Sequence, residues 1–277
     1  METFYKYHGL GNDFILIDNR NNSIKASAEI SEKMCQRFFG IGADGLILAE
    51  NSSCADIRMI IYNSDGSRAG MCGNGLRCFA KFAYEKLGIN KEQMIVETDS
   101  GILTAGIITK DRTVDAIKVN MGRPIFENGR IPCTIEKDPI IGHEVNIGGR
   151  EYKITSLLMG VPHTVIFTDE LDDEAVIMNG KAIENSELFP RKTNVNFVRI
   201  INDKEITLRT WERGAGYTYA CGTGACASVV AGVINGLLNS SVLVHLRGGD
   251  LSISWPDKGD IFMEGPAVEV FEGVYKL

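Results

Sequence analysis

The chain has 277 residues, a formal charge of −7, 44% hydrophobic and 23% charged residues, enough to bury one large core or two medium ones, with two domains fitting best. Its acidic balance, with Lys and Arg only scattered, argues against nucleic-acid binding. No apolar run nears the roughly 18–20 residues of a membrane-crossing helix. Met1-Glu2-Thr3-Phe4-Tyr5-Lys6 carries no basic segment followed by an apolar run, so the chain reads as cytoplasmic with no membrane partner.

In chain order, strand-like runs fall at Phe4 to Tyr7, Phe14 to Asp18, Leu46 to Ala49, Ile57 to Tyr62, Ile102 to Ile108 and Ile117 to Asn120. The second half repeats the mix at Tyr152 to Leu157, Thr164 to Phe167, Val195 to Ile201, Ile206 to Trp211, Val242 to Leu246 and Leu251 to Trp255. Helical spacing predicts helices at Ala28 to Phe38, Asn74 to Leu87, about Asp173 to Ile183 and Thr223 to Leu238. Strands do not alternate regularly with helices, so α+β is the expected class rather than a doubly wound parallel sheet. Met121-Gly122-Arg123-Pro124 marks the expected domain change. The domains then run over residues 1–121 and 122–277, with about residues 266–277 candidates to pack back onto the first.

Two segments in opposite halves match: Cys72-Gly73-Asn74-Gly75 and Cys221-Gly222-Thr223-Gly224, each opening an apolar helical run. Upstream, Leu10-Gly11-Asn12-Asp13-Phe14 pairs with Met159-Gly160-Val161-Pro162-His163, a glycine turn feeding a strand. Downstream, Ser100-Gly101-Ile102-Leu103 pairs with Gly248-Gly249-Asp250-Leu251. Three landmarks in the same order point to an internal duplication. Each cysteine sits at a helix mouth, where unpaired N–H groups and the positive dipole end are expected to ease thiol ionisation. If the halves face each other, two such sulfurs could flank one substrate carbon, one as base and one as acid, the equipment for inverting a stereocentre. The other five cysteines, Cys35, Cys54, Cys78, Cys133 and Cys226, are expected in the core as free thiols; no Cys-x-x-Cys pair suggests a metal site.

Lys6-Tyr7-His8-Gly9-Leu10-Gly11-Asn12-Asp13-Phe14, Gly40-Ile41-Gly42-Ala43-Asp44-Gly45, Asn63-Ser64-Asp65-Gly66-Ser67, Cys72-Gly73-Asn74-Gly75 and Glu212-Arg213-Gly214-Ala215-Gly216 followed by Cys221-Gly222-Thr223-Gly224 closely resemble diaminopimelate epimerase. The resemblance spans nearly the whole chain in order. It implies two related α+β domains, each a sheet curled around a central helix, with the active site in the cleft between them, and no pyridoxal phosphate, other cofactor or metal. It implies conversion of LL-2,6-diaminopimelate to the meso form, a step toward lysine and peptidoglycan precursors, on a small-molecule amino-acid substrate, with a homodimer left open.

Without an electron-sink cofactor, electrostatics alone must stabilise the carbanion formed at Cα. The N–H groups of Gly73-Asn74 and Gly222-Thr223 are suited to grip the α-carboxylate. By resemblance Cys72 and Cys221 are the acid/base pair, and His163 and Glu212 match positions near the α-amino group and the thiols. Arg213 can hold the distal carboxylate bidentately; Asn63 and Asn194 match positions that assist it, and Asn12 a binding asparagine near the cleft floor. The chain departs from the family pattern at Val161, where Gly-Asn-Pro-His is common, and at Gly45, where some members carry glutamine. Both departures bear on substrate choice rather than on reaction type. The alternatives are a cofactor-independent racemase of another amino acid, of histidine, lanthionine or proline type, and a non-catalytic amino-acid-binding protein, against which the presence of both cysteines argues.

Overall fold

The computed structural model describes residues 1–25, 27–111 and 113–276. The chain divides into two compact units, Met1–Asn120 with Glu264–Leu277, and Met121–Met263.

Unit 1 carries β1 (Glu2–Gly9), β2 (Asn12–Asp18), α1 (Ser27–Cys35), β3 (Gly45–Glu50), β4 (Ile57–Asn63), β5 (Arg68–Ala69), α2 (Gly73–Glu85), β6 (Gln93–Thr98), β7 (Gly101–Lys110) and most of β8 (Thr113–Gly122). Unit 2 repeats this order after β9 (His143–Ile147). It continues with β10 (Arg150–Met159), β11 (Val161–Phe167), α3 (Asp173–Glu184), β12 (Asn194–Asn202), β13 (Glu205–Glu212), β14 (Gly216–Tyr217), α4 (Gly222–Ile234), β15 (Ser241–Leu246) and β16 (Gly249–Ser254). After β17 (Ile261–Gly265), the last strand, β18 (Val268–Tyr275), pairs antiparallel with β1 in unit 1, as β9 does with β10 in unit 2.

Pairing confirms the duplication strand by strand. β1–β2 and β10–β11 are antiparallel, β2–β3 and β11–β12 parallel, β3–β4 and β12–β13 antiparallel. The parallel pairs β4–β6 and β13–β15 and the hairpins β6–β7 and β15–β16 complete the match. Helix α2 contacts β1, β2, β3, β4 and β7, and α4 contacts the equivalent β10, β11, β12, β13 and β16. Each sheet therefore curls around one helix, the α+β arrangement expected. Both helices are buried over most of their surface: Leu76, Phe79, Ala80, Phe82 and Ala83, with the polar Asn74 and Arg77, in one, and Ala227, Val229, Val230 and Ala231 in the other.

Helix ends differ from the sequence reading where local chain chemistry intervenes. Helix α4 stops at Ile234 rather than Leu238, because Gly236 takes a left-handed φ of 71° and the Leu237 N–H turns back to the Gly232 carbonyl at 2.9 Å. Helix α1 stops at Cys35 rather than Phe38, where the Ile41 N–H returns to the Met34 carbonyl at 2.8 Å. Phe38 is left outside and exposed. Among the five cysteines expected in the core, Cys35, Cys78 and Cys226 are buried and Cys133 is half-buried, but Cys54 is exposed in the loop before β4. Among the described residues no helix is long and apolar enough to cross a membrane.

Gly180 on α3 faces Trp211 on β13, and a Cβ there would stand 2.5 Å from the Trp211 Cβ. Alanine raises intrinsic helix propensity by about 0.5–1 kcal/mol over glycine, but overpacking a fixed interface costs about 1–3 kcal/mol, so the clash should win. Gly180→Ala is expected to lower the midpoint of urea denaturation; a higher midpoint would show that the helix yields freely.

Candidate active site

In unit 1 the site is built at the mouth of α2. Cys72 is its N-cap, in extended backbone (φ −143°, ψ 120°), and its sulfur accepts the Gly75 N–H at 3.4 Å. Such a cap normally uses oxygen; here sulfur takes its place and is held at the positive end of the helix. The thiol donates to Asn12 Oδ1 at 3.7 Å, which also receives Asn74 Nδ2 at 3.2 Å. The Asn12 amide is oriented from behind, Nδ2 donating to Asp44 Oδ2 at 2.7 Å. Arg37 bridges Asp44 and Asp13 at 2.7 and 2.8 Å, and Lys6 meets Asp13 at 2.6 Å. Burial pushes the Asp13 carboxyl up, but Arg37 and Lys6 overcome it and hold the group at about 2. The cysteine is thus backed by a fixed chain of charges that ends in a neutral amide. Asn63 is exposed at the close of β4 and spends its Nδ2 on the Ser67 hydroxyl at 2.9 Å within a turn. Gly45 opens β3 opposite it.

In unit 2 Cys221 caps α4 in the same way (φ −121°, ψ 105°), its sulfur accepting the Gly224 N–H at 3.3 Å. The Thr223 hydroxyl lies 3.5 Å from the sulfur. Glu212, closing β13, hydrogen-bonds the Cys221 thiol and is itself oriented by the Thr218 hydroxyl, which donates to Oε1 at 2.6 Å. Burial and then the Glu212 charge push the Cys221 thiol well above its usual range. This corrects the expectation that the helix mouth eases its ionisation: desolvation of a sulfur only 4% exposed, beside a carboxylate, outweighs the dipole, and Cys221 rests as a thiol.

Gly73, Gly75, Gly222 and Gly224 all lie within the helices rather than in left-handed turns. A Cβ on Gly224 would come 2.5 Å from Asn196 Oδ1 and 3.2 Å from the Cys221 sulfur; one on Gly75 would come 3.2 Å from Ile47. These second glycines leave room for the neighbours pressed against the sulfur-bearing turn. Gly73, Asn74 and Gly222 are buried, and the N–H groups of the first helical residues have no acceptor within their own helix.

His163 on β11 is fully buried. Its Nδ1 accepts from Asn196 Nδ2 at 3.1 Å, and the Asn196 amide is fixed in that orientation by the Thr210 hydroxyl donating to Oδ1 at 3.1 Å and by Nδ2 reaching the Thr164 carbonyl. The proton is therefore on Nε2, a buried N–H with no partner among the described residues. Burial, aided by the Arg213 charge, lowers its pKa to about 3, so near neutral pH His163 is a hydrogen-bond donor and not a proton acceptor. Asn194 commits both ends of its amide to main chain: Oδ1 accepts the Arg213 N–H at 2.8 Å and Nδ2 donates to the Pro162 carbonyl at 3.0 Å. It sets the backbone of Arg213, whose guanidinium reaches the Arg191 carbonyl at 3.2 Å. Val161 opens β11 about one-third exposed.

Asp44, Asn196 and Thr218 were not singled out from sequence. For Asn196 a signal existed: in Asn194-Val195-Asn196-Phe197-Val198 two amides sit two apart, on one face of a segment whose other residues are apolar.

The model of the diaminopimelate epimerase family matches residues 4–127 and 155–270. A diaminopimelate epimerase from Alkaliphilus metalliredigens is 47% identical over 275 residues, covering 98% of this chain and 96% of that protein. The chain belongs to the diaminopimelate epimerase family. A second family member, the diaminopimelate epimerase from Desulfitobacterium hafniense, is 46% identical, covering 97% of this chain and 96% of that protein. Among solved structures, a phenazine biosynthesis protein of the PhzF family from Bacillus anthracis superposes with a TM-score of 0.71 at 17% identity, covering 100% of this chain and 99% of that one. A hydroxyproline epimerase from Agrobacterium vitis, with bound trans-4-OH-L-proline, gives 0.70 at 13%, covering 98% and 91%. At such identities these two structures report the shared fold.

The depressed His163 pKa has a stability consequence. In the unfolded chain His163 takes its proton near 6.5, in the folded chain only near about 3, so its contribution to stability is complete above 6.5 and is lost as pH falls toward 3. In that window the unfolded state binds one proton more, a slope of up to about 1.4 kcal/mol per pH unit. Urea denaturation at several pH values should show a shallower acid decline for His163→Gln than for the wild-type chain; parallel declines would contradict the assignment.

Proposed function

We propose that this chain interconverts LL- and meso-2,6-diaminopimelate by proton transfer at one α-carbon, with Cys72 and Cys221 as the acid/base pair and with neither pyridoxal phosphate nor metal. The observation that carries the reading is the pair of sulfur-capped helices, one in each half of a duplicated fold, in a chain of the diaminopimelate epimerase family. An amino-acid Cα–H is a weak acid, and its removal puts charge on the α-carboxylate. The N–H groups of Gly73-Asn74 and Gly222-Thr223 are preorganised donors for that charge and need no reorganisation at the moment of reaction. A thiolate removes the proton on one face, and a thiol returns one on the other. Cys221, which rests protonated, is the acid in one direction; in the other it gives its proton to the hydrogen-bonded Glu212 before acting as base. The His163 N–H serves as a donor that cannot compete for the proton. Arg213, with its backbone set by Asn194, takes the distal carboxylate, with Asn63 assisting, while Asn12 binds beside Cys72.

The free thiols suit a reducing compartment, and work in the cytoplasm as a supplier of lysine and peptidoglycan precursors belongs to the same reading. Self-association is part of it, supported by the exposed Val268, Val270, Phe271 and Val274 of β18.

Each thiol has one face to serve, so Cys72→Ala and Cys221→Ala should each lose several orders of magnitude in kcat while remaining folded. Near-normal turnover by either variant would eliminate the two-thiol mechanism.

Val161 offers no hydrogen bond where an asparagine would, a difference of about 0.5–1.5 kcal/mol. Diaminopimelate should be the best substrate of the wild-type chain, with lanthionine partly accepted, and Val161→Asn should sharpen that discrimination roughly tenfold. Steady-state kcat/KM for LL- and meso-diaminopimelate, lanthionine, histidine and proline decides this. A chain that ignores diaminopimelate and turns over one of the others is a racemase of a different amino acid.

A further inference from the structure

The segment leading into Cys221 is held from outside by a stack of side chains. Arg247, in the turn between β15 and β16, lies between two rings, its guanidinium carbon 4.2 Å from the centroid of Tyr217 and 4.7 Å from that of Tyr219. The Tyr217 hydroxyl donates to Asp173 Oδ1 at 2.6 Å, and Arg247 lies 3.6 Å from Asp173 Oδ2, which closes a ring of three side chains over the start of α3. The main chain adds one tie, the Gly248 N–H to the Tyr219 carbonyl at 3.0 Å. Tyr217 closes β14 and Tyr219 follows two residues on; both rings meet Arg247, while the Thr218 hydroxyl between them reaches Glu212. Thr218 is the residue whose hydroxyl fixes the Glu212 carboxylate, and Glu212 faces the Cys221 thiol.

Unit 1 has a strap in the equivalent place, built from opposite chemistry. Arg68 on β5 stands opposite Tyr62, as Tyr217 on β14 stands opposite Trp211. Asp99 occupies the turn between β6 and β7, two residues before Gly101, as Arg247 precedes Gly249. The Arg68 guanidinium grips both oxygens of Asp99, one of them at 2.9 Å. Gly70 fits against Ser100, whose hydroxyl a Cβ on Gly70 would meet at 2.6 Å. Both halves therefore tie the short strand before the cysteine to the hairpin turn after the helix: an ion pair does it in one, and a cation between two aromatic rings in the other.

We infer that Arg247 is a positioning residue for the acid/base chemistry of Cys221: clamped between Tyr217 and Tyr219, it holds Thr218 where it orients Glu212 against the thiol. This rests on the reading of Cys221 as a reacting thiol. Arg247 acts through the Tyr217–Tyr219 segment, whose two rings it meets. Two such contacts are worth enough to move a rate by about tenfold, and the planar guanidinium suits a stack that an ammonium fills less well.

The test compares wild type, Arg247→Ala, Arg247→Lys and Tyr219→Leu in the full chain, by steady-state kinetics and by the pH-dependent rate of iodoacetamide labelling at each cysteine, read by peptide mass spectrometry. Arg247→Ala should lower kcat about tenfold with KM changed less than about twofold, shift the pH profile of labelling at Cys221 and leave that of Cys72 in place. Lysine should restore part of kcat, and Tyr219→Leu, at an exposed position, should reproduce the Cys221 shift even if Arg247→Ala does not fold. An unchanged Cys221 profile in folded variants overturns the proposal, as does an equal shift at Cys72, which marks general loosening. Labelling does not depend on the substrate, so an inactive wild-type chain would defeat the functional reading while the two labelling profiles still decide the clamp.

Discussion

The arrangement depends on one unusual hydrogen bond made twice: a cysteine sulfur, rather than a serine or aspartate oxygen, accepts the third amide of a buried helix. Sulfur is the weaker acceptor, and an oxygen cap is worth about 0.5–2 kcal/mol. The helices tolerate the weaker cap because their stability comes from burial on nearly every face, with five strands of a curled sheet around each. What the fold gains is a thiol fixed at the positive end of a helix dipole, next to N–H groups with no acceptor in their own helix. The glycines at 75 and 224 follow from the same constraint, since larger residues there would displace the turn that carries the sulfur.

Duplication supplies two such thiols, and divergence makes them different. Asn63 and Glu212 close the equivalent strands β4 and β13, and Gly45 and Asn194 open the equivalent strands β3 and β12. Phe14 and His163 hold corresponding positions on β2 and β11, each paired to the first residue of the neighbouring parallel strand. Cys221 thus has a carboxylate as its partner, where Cys72 has the neutral amide of Asn12. Unlike partners give the two sulfurs unlike surroundings, a carboxylate beside one and a neutral amide beside the other.

Much of this was readable in the sequence because it is periodic or motif-bound. The two Cys-Gly-x-Gly segments, the spacing of the apolar residues behind them and the glycine landmarks on either side exposed the duplication, and four helices were placed with ends shifted by a few residues. Strands β6 and β9 escaped although Met94, Val96 and Thr98, and Val145 and Ile147, alternate inward, and β18 escaped because it is exposed along most of its length and lacks that signal. That Gly75 and Gly224 make space beside the sulfur-bearing turn is visible only in the packing. The protonation of Cys221 was not legible, because it is set by burial and by Glu212, nine residues earlier, rather than by the helix mouth the motif announces. Asn196, Thr218 and Asp44 act through other side chains, and only their partners in space distinguish them from ordinary strand and loop polar residues.

The central claim, two thiols working on opposite faces of one carbon, is tested most directly by the fate of the α-hydrogen. LL-diaminopimelate is incubated with the enzyme in deuterium oxide, and substrate and product are separated at low conversion and examined by mass spectrometry and NMR. The account predicts deuterium at the inverted centre of the meso product, with the recovered LL-isomer still carrying protium, because the base that removes the proton is not the acid that delivers one. Protium retained in the product, returned by a single group that reaches both faces, would contradict it.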